Sequence, residues 1–267
     1  MATQEAKVLR AVLLDLGGVV FVGDALLPGA REAVDRLKQA GLGLRYITNT
    51  TRTPRRLLLE KLARLQVPVS ADELFMPAVA ARRHIEAHGL TPHLLIHPAL
   101  EEDFAGLPQD RAPAVVVGDA AEGFTYRAMN SAFRALEEGA AFLALARNRS
   151  FQDSDRGLSL DAGPFVVALE FATRREAIVL GKPSADFFRV ALDGLGCKPG
   201  EVAMVGDDVE SDIAGAQAAG LVGLLVRTGK YREGDEAAIM PRPTAVCADL
   251  AAAADWILAQ GPDAGRG

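Results

Sequence analysis

Cysteine is almost missing from this chain. Two residues, Cys197 and Cys247, occur in 267. That excludes a disulfide framework and a zinc cluster, and it leaves both thiols to serve as small buried apolar side chains. Positive charge is in deficit: 29 Lys and Arg against 35 Asp and Glu give a net charge of -6. There is no basic footprint for a nucleic acid, and no lysine- or arginine-rich tract for a membrane surface. Long apolar runs are missing too. None approaches the ~18 consecutive residues of a membrane span. The opening "MATQEAKVLR" lacks the apolar h-region of a secretion signal. The expectation is a soluble, cytoplasmic, globular protein with no nucleic-acid and no membrane partner.

Hydrophobic residues, in contrast, make up 49% of the chain, enough to core one large domain or two modest ones. Strand-like runs alternate with helical segments, which predicts an α/β fold with a mostly parallel sheet. "AVLLD" (11–15), "LRYITNT" (44–50), "EVAMVGDD" (201–208) and "LVGLLVRTG" (221–229) read as strands. "PGAREAVDRLKQAG", with Pro28 near its start and Gly41 at its end, reads as a helix. So do 53–65 behind Thr53 and Pro54, 184–196 behind Ser184, and 211–220 closing on Gly220. "ADLAAAADWILA" (248–259) is expected as a last core helix with Trp256 buried, and the tail "GPDAGRG" as disordered. "SADE" (70–73) has the spacing of a capping box. After it come further strand candidates: 93–97, 114–119, 142–146 and 157–161, with helices at 125–139 and 164–173 between them. The division this predicts is a Rossmann-like parallel-sheet core from 1–77 and 180–267, with a smaller α/β domain of 78–179 inserted.

In parallel α/β sheets, ligands bind beyond the carboxyl ends of the strands. Three strands here end in polar residues: Asp15, then Thr48 and Asn49, then Asp207 and Asp208. A fourth segment ends in Gly181 and Lys182. If these strands are neighbours, Asp15, Asp207, Asp208 and Asp212 crowd one rim and raise one another's pKa values. A divalent cation relieves that crowding, and hard oxygen ligands with open water positions favour Mg²⁺. A cation, the Lys182 ammonium and the donors of Thr48 and Asn49 around a carboxylate suit a phosphoryl group in transfer. An aspartate can itself be the nucleophile. Taken singly, each piece has a plain structural reading: an Asp before Gly-Gly as a turn, "TN" as Asx-turn chemistry, "GKPS" as a capped junction, "GDD" as another turn.

Order and spacing decide between these readings. "DLGGV", "ITNTT", "GKPS" and "VGDDVESD", in that sequence, resemble the four motifs of the haloacid dehalogenase-like superfamily of phosphohydrolases. The resemblance spans nearly the whole chain. The insert is similar to the large α/β cap of the branch that holds nucleotide and sugar-phosphate phosphatases. Within it, "VVGDAAEGFTYRAMNSAF", "LSLDAGPFVVALEFA", "GKPSADFF" and "VRTGKYREGDE" look most like the phospholysine phosphohistidine inorganic pyrophosphate phosphatase group. The resemblance implies that Asp15 attacks phosphorus. It implies that Asp15, the Gly17 carbonyl and Asp207 bind Mg²⁺, with Asp208 and Asp212 completing or orienting the metal shell. Thr48 and Asn49 would hold phosphoryl oxygens, and Lys182 would offset charge on nucleophile and phosphate. The cap would close over a small phosphorylated substrate and choose its leaving group, and a homodimer through the cap is expected.

One position departs from the pattern. Most superfamily phosphatases carry a second Asp two residues after the nucleophile, as general acid and base, and the resembled group tends to carry Ser. Here it is Gly17. General acid–base help is typically worth ~10²–10⁴-fold, so ordinary monoesters should turn over slowly. Two readings follow. One is an enzyme for leaving groups that need little protonation, such as pyrophosphate or phosphoramidates of Lys and His. The other is a weakly active or non-catalytic phosphate-binding module. A haloacid dehalogenase proper needs no Mg²⁺ and leaves the acidic fourth motif unexplained.

The four histidines, His84, His88, His93 and His97, lie within fourteen residues. His84 and His88 share a helical face that could bind a metal, but no carboxylate or Cys completes a set, and surface or structural roles are expected. Tyr126, Met129, Phe133 and Leu136 are spaced as core or oligomer interface. Asp161 is expected as a helix N-cap, with a place at the substrate cleft as the other reading.

Overall fold

The computed structural model describes residues 8–152 and 157–260. In chain order, strand β1 (Ala11–Asp15) leads to a small hairpin, β2 (Phe21–Val22) with β3 (Ala25–Leu26). Helix α1 (Ala30–Gln39), strand β4 (Gly43–Ile47), helix α2 (Arg55–Arg64) and strand β5 (Leu74–Phe75) follow. Then come α3 (Pro77–His88), β6 (Leu90–Leu95), β7 (Ala112–Val117), α4 (Tyr126–Glu137) and β8 (Ala141–Ala144). A hairpin, β9 (Ser150–Gln152) with β10 (Leu158–Leu160), precedes α5 (Ala162–Thr173) and β11 (Ile178–Val179). The chain ends with α6 (Ala185–Ala191), β12 (Val202–Gly206), a π-helical turn Val209–Ala214 running into α7 (Gly215–Ala218), β13 (Val222–Val226), β14 (Ala245–Cys247) and α8 (Leu250–Leu258).

Two compact units result, one from residues 8–48, 59–75 and 182–260, the other from 49–58, 76–152 and 157–181. The first is a six-stranded sheet in the order β14-β13-β12-β1-β4-β5, parallel throughout. Its central strand reads AVLLD and every residue is buried, as a strand covered on both faces requires. Helix α1 buries Ala30, Ala33, Val34 and Leu37, one stripe at helical spacing. The second unit has its own parallel sheet, β11-β8-β7-β6. Its core joins Val115, Val117, Phe142 and Ala144 of the sheet to Ala132 and Leu136 of α4 and Val166 and Leu169 of α5. Both units are α/β with parallel sheets, and the whole is a Rossmann-like fold. No helix among the described residues is long and apolar enough to cross a membrane.

Several local expectations need correction. The helix expected over 184–196 stops at Ala191, because Gly194 and Gly196 follow with φ of 81° and 62°, backbone that suits glycine and ends helices. Ser184 flanks that helix without a side-chain capping bond. The segment 211–220 is no uniform α-helix; it opens as the π turn. Trp256 is half-buried rather than buried, and so is Cys197, whose Sγ donates to the Leu195 carbonyl at 3.2 Å. Tyr126 is 85% exposed while Leu136 is buried, so the four spaced residues of α4 do not form one core stripe. The tail 261–267 lies outside the described residues.

Candidate active site

The register of the first sheet assembles the site. Asp15 is the last residue of β1, paired with Ile47 of β4, and Leu14 pairs with Val205 of β12. One residue beyond those pairings come Thr48 on one side, and Gly206 and then Asp207 on the other. Parallel strands share a carboxyl end, so these polar residues emerge on the same rim.

Asp15, Asp207 and Asp212 are buried, and each offers a carboxylate oxygen within 4.8 Å of the others. Lys182 lies among them with 4% of its side chain exposed. Its Nζ donates to Asp15 Oδ1 at 2.5 Å and to Asp212 Oδ1 at 2.6 Å. The second oxygen of Asp212 accepts from the Asp208 backbone N–H at 3.1 Å. A buried ammonium bridging two carboxylates fixes the angle at which Asp15 presents its free oxygen.

Asp208, expected with the metal residues, is not in this group. Its Oδ1 accepts from the backbone N–H groups of Glu210 and Ser211, at 3.1 and 3.0 Å, and caps the π turn. Its Oδ2 lies 3.4 Å from Lys230 Nζ. The turn it caps swings Asp212 back over the end of β12, and π turns are often found at functional sites. Gly206 makes this possible, since a Cβ there would strike the Asp212 carboxylate.

The charges are unbalanced: three carboxylates face one buried ammonium. Burial pushes Asp15 up, to about 7; Lys182 pulls it back down, while Asp212 and Asp207 add to the rise. Burial, reinforced by Asp212, pushes Asp207 up to about 6. Burial alone would lower Lys182, but Asp15 and Asp212 outweigh it and hold its pKa above that of ordinary lysine. For Asp208 burial acts upward, yet the Ser211 bonds and Lys230 win and its pKa falls. Lys182 therefore stays charged, while burial and the neighbouring carboxylates work against full ionisation of Asp15 and Asp207 until a cation joins them. Clustered hard oxygen donors with surplus negative charge fit a divalent cation such as Mg²⁺.

A fifth segment, missed in the sequence, closes the site. Thr228 Oγ1 donates to the Gly18 carbonyl at 2.5 Å, and the Lys230 backbone N–H donates to Asp207 Oδ2 at 2.7 Å. Between them Gly229, with φ 59°, packs so closely that a Cβ would strike Asp207 Oδ2 and come within 2.6 Å of Gly18 Cα. Gly18, with φ 83°, is packed as closely: a Cβ there would strike the same Asp207 Oδ2. Two glycines thus clasp one carboxylate. The available signal was that β13 is also a strand ending in polar residues, "RTGK".

Gly17 is exposed, and a Cβ built on it meets no atom within 4 Å. Thr48 is half-buried, and its backbone N–H donates to the Phe75 carbonyl at 3.2 Å. Asn49 falls in the second unit, where its Oδ1 lies 3.0 Å from where a Gly181 Cβ would be. The histidines do not converge. His84 and His88 stack at 4.1 Å, His97 Nδ1 accepts from the Ala99 N–H at 3.2 Å, and His93 Nε2 lies 3.5 Å from Ser131 Oγ. Asp161 caps α5 by accepting from the Ala162 N–H at 2.7 Å.

The family model for haloacid dehalogenase-like hydrolases matches residues 12–107, and a second, HAD-hydrolase-like, matches 179–253. Haloacid dehalogenase-like hydrolase domain-containing protein 2 of Bos taurus is 45% identical over 97% of this chain and 98% of its own length. The phospholysine phosphohistidine inorganic pyrophosphate phosphatase of Danio rerio is 42% identical, covering 94% of this chain and 95% of its own. The 4-nitrophenylphosphatase of Thermotoga maritima superposes with a TM-score of 0.84 at 26% identity, over 94% of this chain and 97% of its own. A glycerol phosphate phosphatase of Mycobacterium tuberculosis, solved in complex with magnesium, gives 0.78 at 26% identity, over 90% and 76%. The chain belongs to the haloacid dehalogenase-like hydrolase family. Within that family it is an enzyme of the phosphatase class.

Proposed function

We propose that this phosphatase is Mg²⁺-dependent, works through a phosphorylated Asp15, and favours small substrates whose leaving group departs without taking a proton. Pyrophosphate is of that kind, and so are phosphoramidates such as phospholysine and phosphohistidine, whose nitrogen can be protonated before it reaches the site. The observation that carries the reading is a bare, open Gly17 beside a complete Asp15–Lys182–Asp212 network.

In this reading the free oxygen of Asp15 attacks phosphorus, the leaving group departs with the bond pair, and water later cleaves the acyl phosphate. Lys182 holds Asp15 in position and offsets charge on the phosphoryl oxygens. Thr48 and Asn49 hold those oxygens. Asp15, Asp207 and the Gly17 carbonyl would hold Mg²⁺, with Asp212 and Asp208 orienting the shell. The ion, when bound, supplies charge compensation for the nucleophile and the phosphoryl group. Nothing at position 17 can pass a proton, so leaving groups that demand one are slow. The second unit serves as a cap that selects the leaving group.

A homodimer through the second unit fits its surface. Helix α5 is apolar on its outer side as well, with Val167 47% and Phe171 87% exposed, and Leu158 and Leu160 on the preceding strand are 81% and 62% exposed. The competing reading, a weakly active or non-catalytic phosphate-binding module, also starts from Gly17. Phosphate release with Mg²⁺ separates the two across pyrophosphate, phospholysine, phosphohistidine, p-nitrophenyl phosphate and alkyl phosphates. The enzyme reading expects the first four, whose leaving groups need no proton from the enzyme, to lead over the alkyl phosphates, and a flat panel with no turnover favours the module.

A further inference from the structure

The site holds two lysines at different depths. Lys182 is sealed in and bonded to the nucleophile and Asp212. Lys230 is the opposite case: 73% of its side chain is exposed, and its ammonium rests 3.4 Å from Asp208. Its backbone, however, is fixed, because its N–H donates to Asp207 Oδ2. The loop around it is fixed as well, by the Thr228 bond to Gly18 and by the contact of Gly229 with Gly18. Gly18 follows Gly17, and Lys230 follows Gly229. The open space at position 17 and the outer ammonium are thus carried by neighbouring residues of two loops in contact.

We propose that Lys230 binds the leaving group, as a fixed positive charge for a second anionic group on the substrate, and so selects diphosphate-like substrates. This rests on the phosphatase reading given above. An exposed ion pair such as Lys230–Asp208 is held weakly, so the ammonium can turn to a substrate anion at little cost. The chemistry balances without a proton donor. The Asp15 oxygen forms a bond to one phosphorus, the bond from that phosphorus to the bridging oxygen breaks, and the pair stays on the departing phosphate. Lys230 keeps its proton and compensates that negative charge, the part a protonated side chain at position 17 would otherwise play. A neutral alkyl leaving group gains nothing from it.

The test is titration calorimetry at fixed free Mg²⁺ with two probes: methylenediphosphonate, a diphosphate that cannot be cleaved at its bridge, and inorganic phosphate. Lys230→Ala removes the ammonium but retains the backbone N–H on Asp207. The ratio of diphosphonate to phosphate affinity should fall about tenfold in Lys230→Ala, the scale of one charge-assisted bond, and should recover in Lys230→Arg. An unchanged ratio overturns the proposal, whether both affinities hold or both fall together. If the wild type binds neither probe with Mg²⁺, the phosphatase reading fails and takes this proposal with it.

Discussion

Gly17 has room for the side chain it lacks. Its backbone is not left-handed, and nothing lies within 4 Å of a built Cβ. Gly17→Asp should therefore change stability by less than about 0.5 kcal/mol, while kcat/KM for an alkyl phosphate rises by about 10²-fold. Thermal melts and steady-state kinetics check the two halves separately. If alkyl phosphates are already the better wild-type substrates, the leaving-group account is wrong. The raised carboxyls make a second prediction at this scale. Asp15 and Asp207, at about 7 and about 6, are protonated in the folded protein at pH values where the unfolded chain has ionised them. That stabilisation is complete below the ordinary value of 3.8 and is lost as pH rises through 6 and 7. Mg²⁺ binds the ionised forms, so at a hundredfold excess over its pH 8 Kd it should stabilise by about 2.7 kcal/mol at about pH 8 and by less at about pH 5. Melting curves with and without Mg²⁺ at the two pH values decide it; an equal shift at both would show that the ion does not bind these carboxylates.

The elements explain what was legible and what was not. Apolar segments ending in a polar residue were readable, so Asp15, Asp207 and Lys182 were singled out, with Asp212 from the acidic fourth motif; the register brings Asp15 and Asp207 to one rim, and the π turn and the Lys182 bonds complete the group. Asp208 could not be separated from Asp207 in the sequence, because the π turn that claims its carboxylate depends on where Asp212 folds back. The clasp of Gly18 and Gly229 around Asp207 was equally out of sight: its partners lie 211 positions apart in the chain, and glycine leaves no side chain to read. That clasp predicts that Gly229→Ala, which drives a Cβ into Asp207, weakens Mg²⁺ binding about 10–100-fold, as losses in the support of a metal ligand do. Calorimetric Mg²⁺ titration is the check, and an affinity within twofold of wild type would remove the loop 228–230 from the site.

At the scale of the molecule, the alternation of strands and helices read correctly as α/β with parallel sheets. Surface exposure did not read as well. Tyr126, Trp256 and Cys197 all look like core residues by type, but exposure is settled by which face a neighbour covers, and that is a long-range property. The uncovered side of α5 carries its own prediction. Phe171→Glu should turn a dimer into a monomer in light scattering with no loss of the folded baseline, and a wild-type monomer at high concentration would rule out that interface. The central claim, that Asp15 carries the phosphoryl group, is tested most directly by acid-quenching the enzyme during turnover of pyrophosphate and locating phosphate by peptide mass spectrometry. The account predicts phosphate on Asp15, absent without Mg²⁺ and absent in Asp15→Asn, which should also be inactive. Turnover with an unmodified Asp15, undiminished in Asp15→Asn, would contradict it.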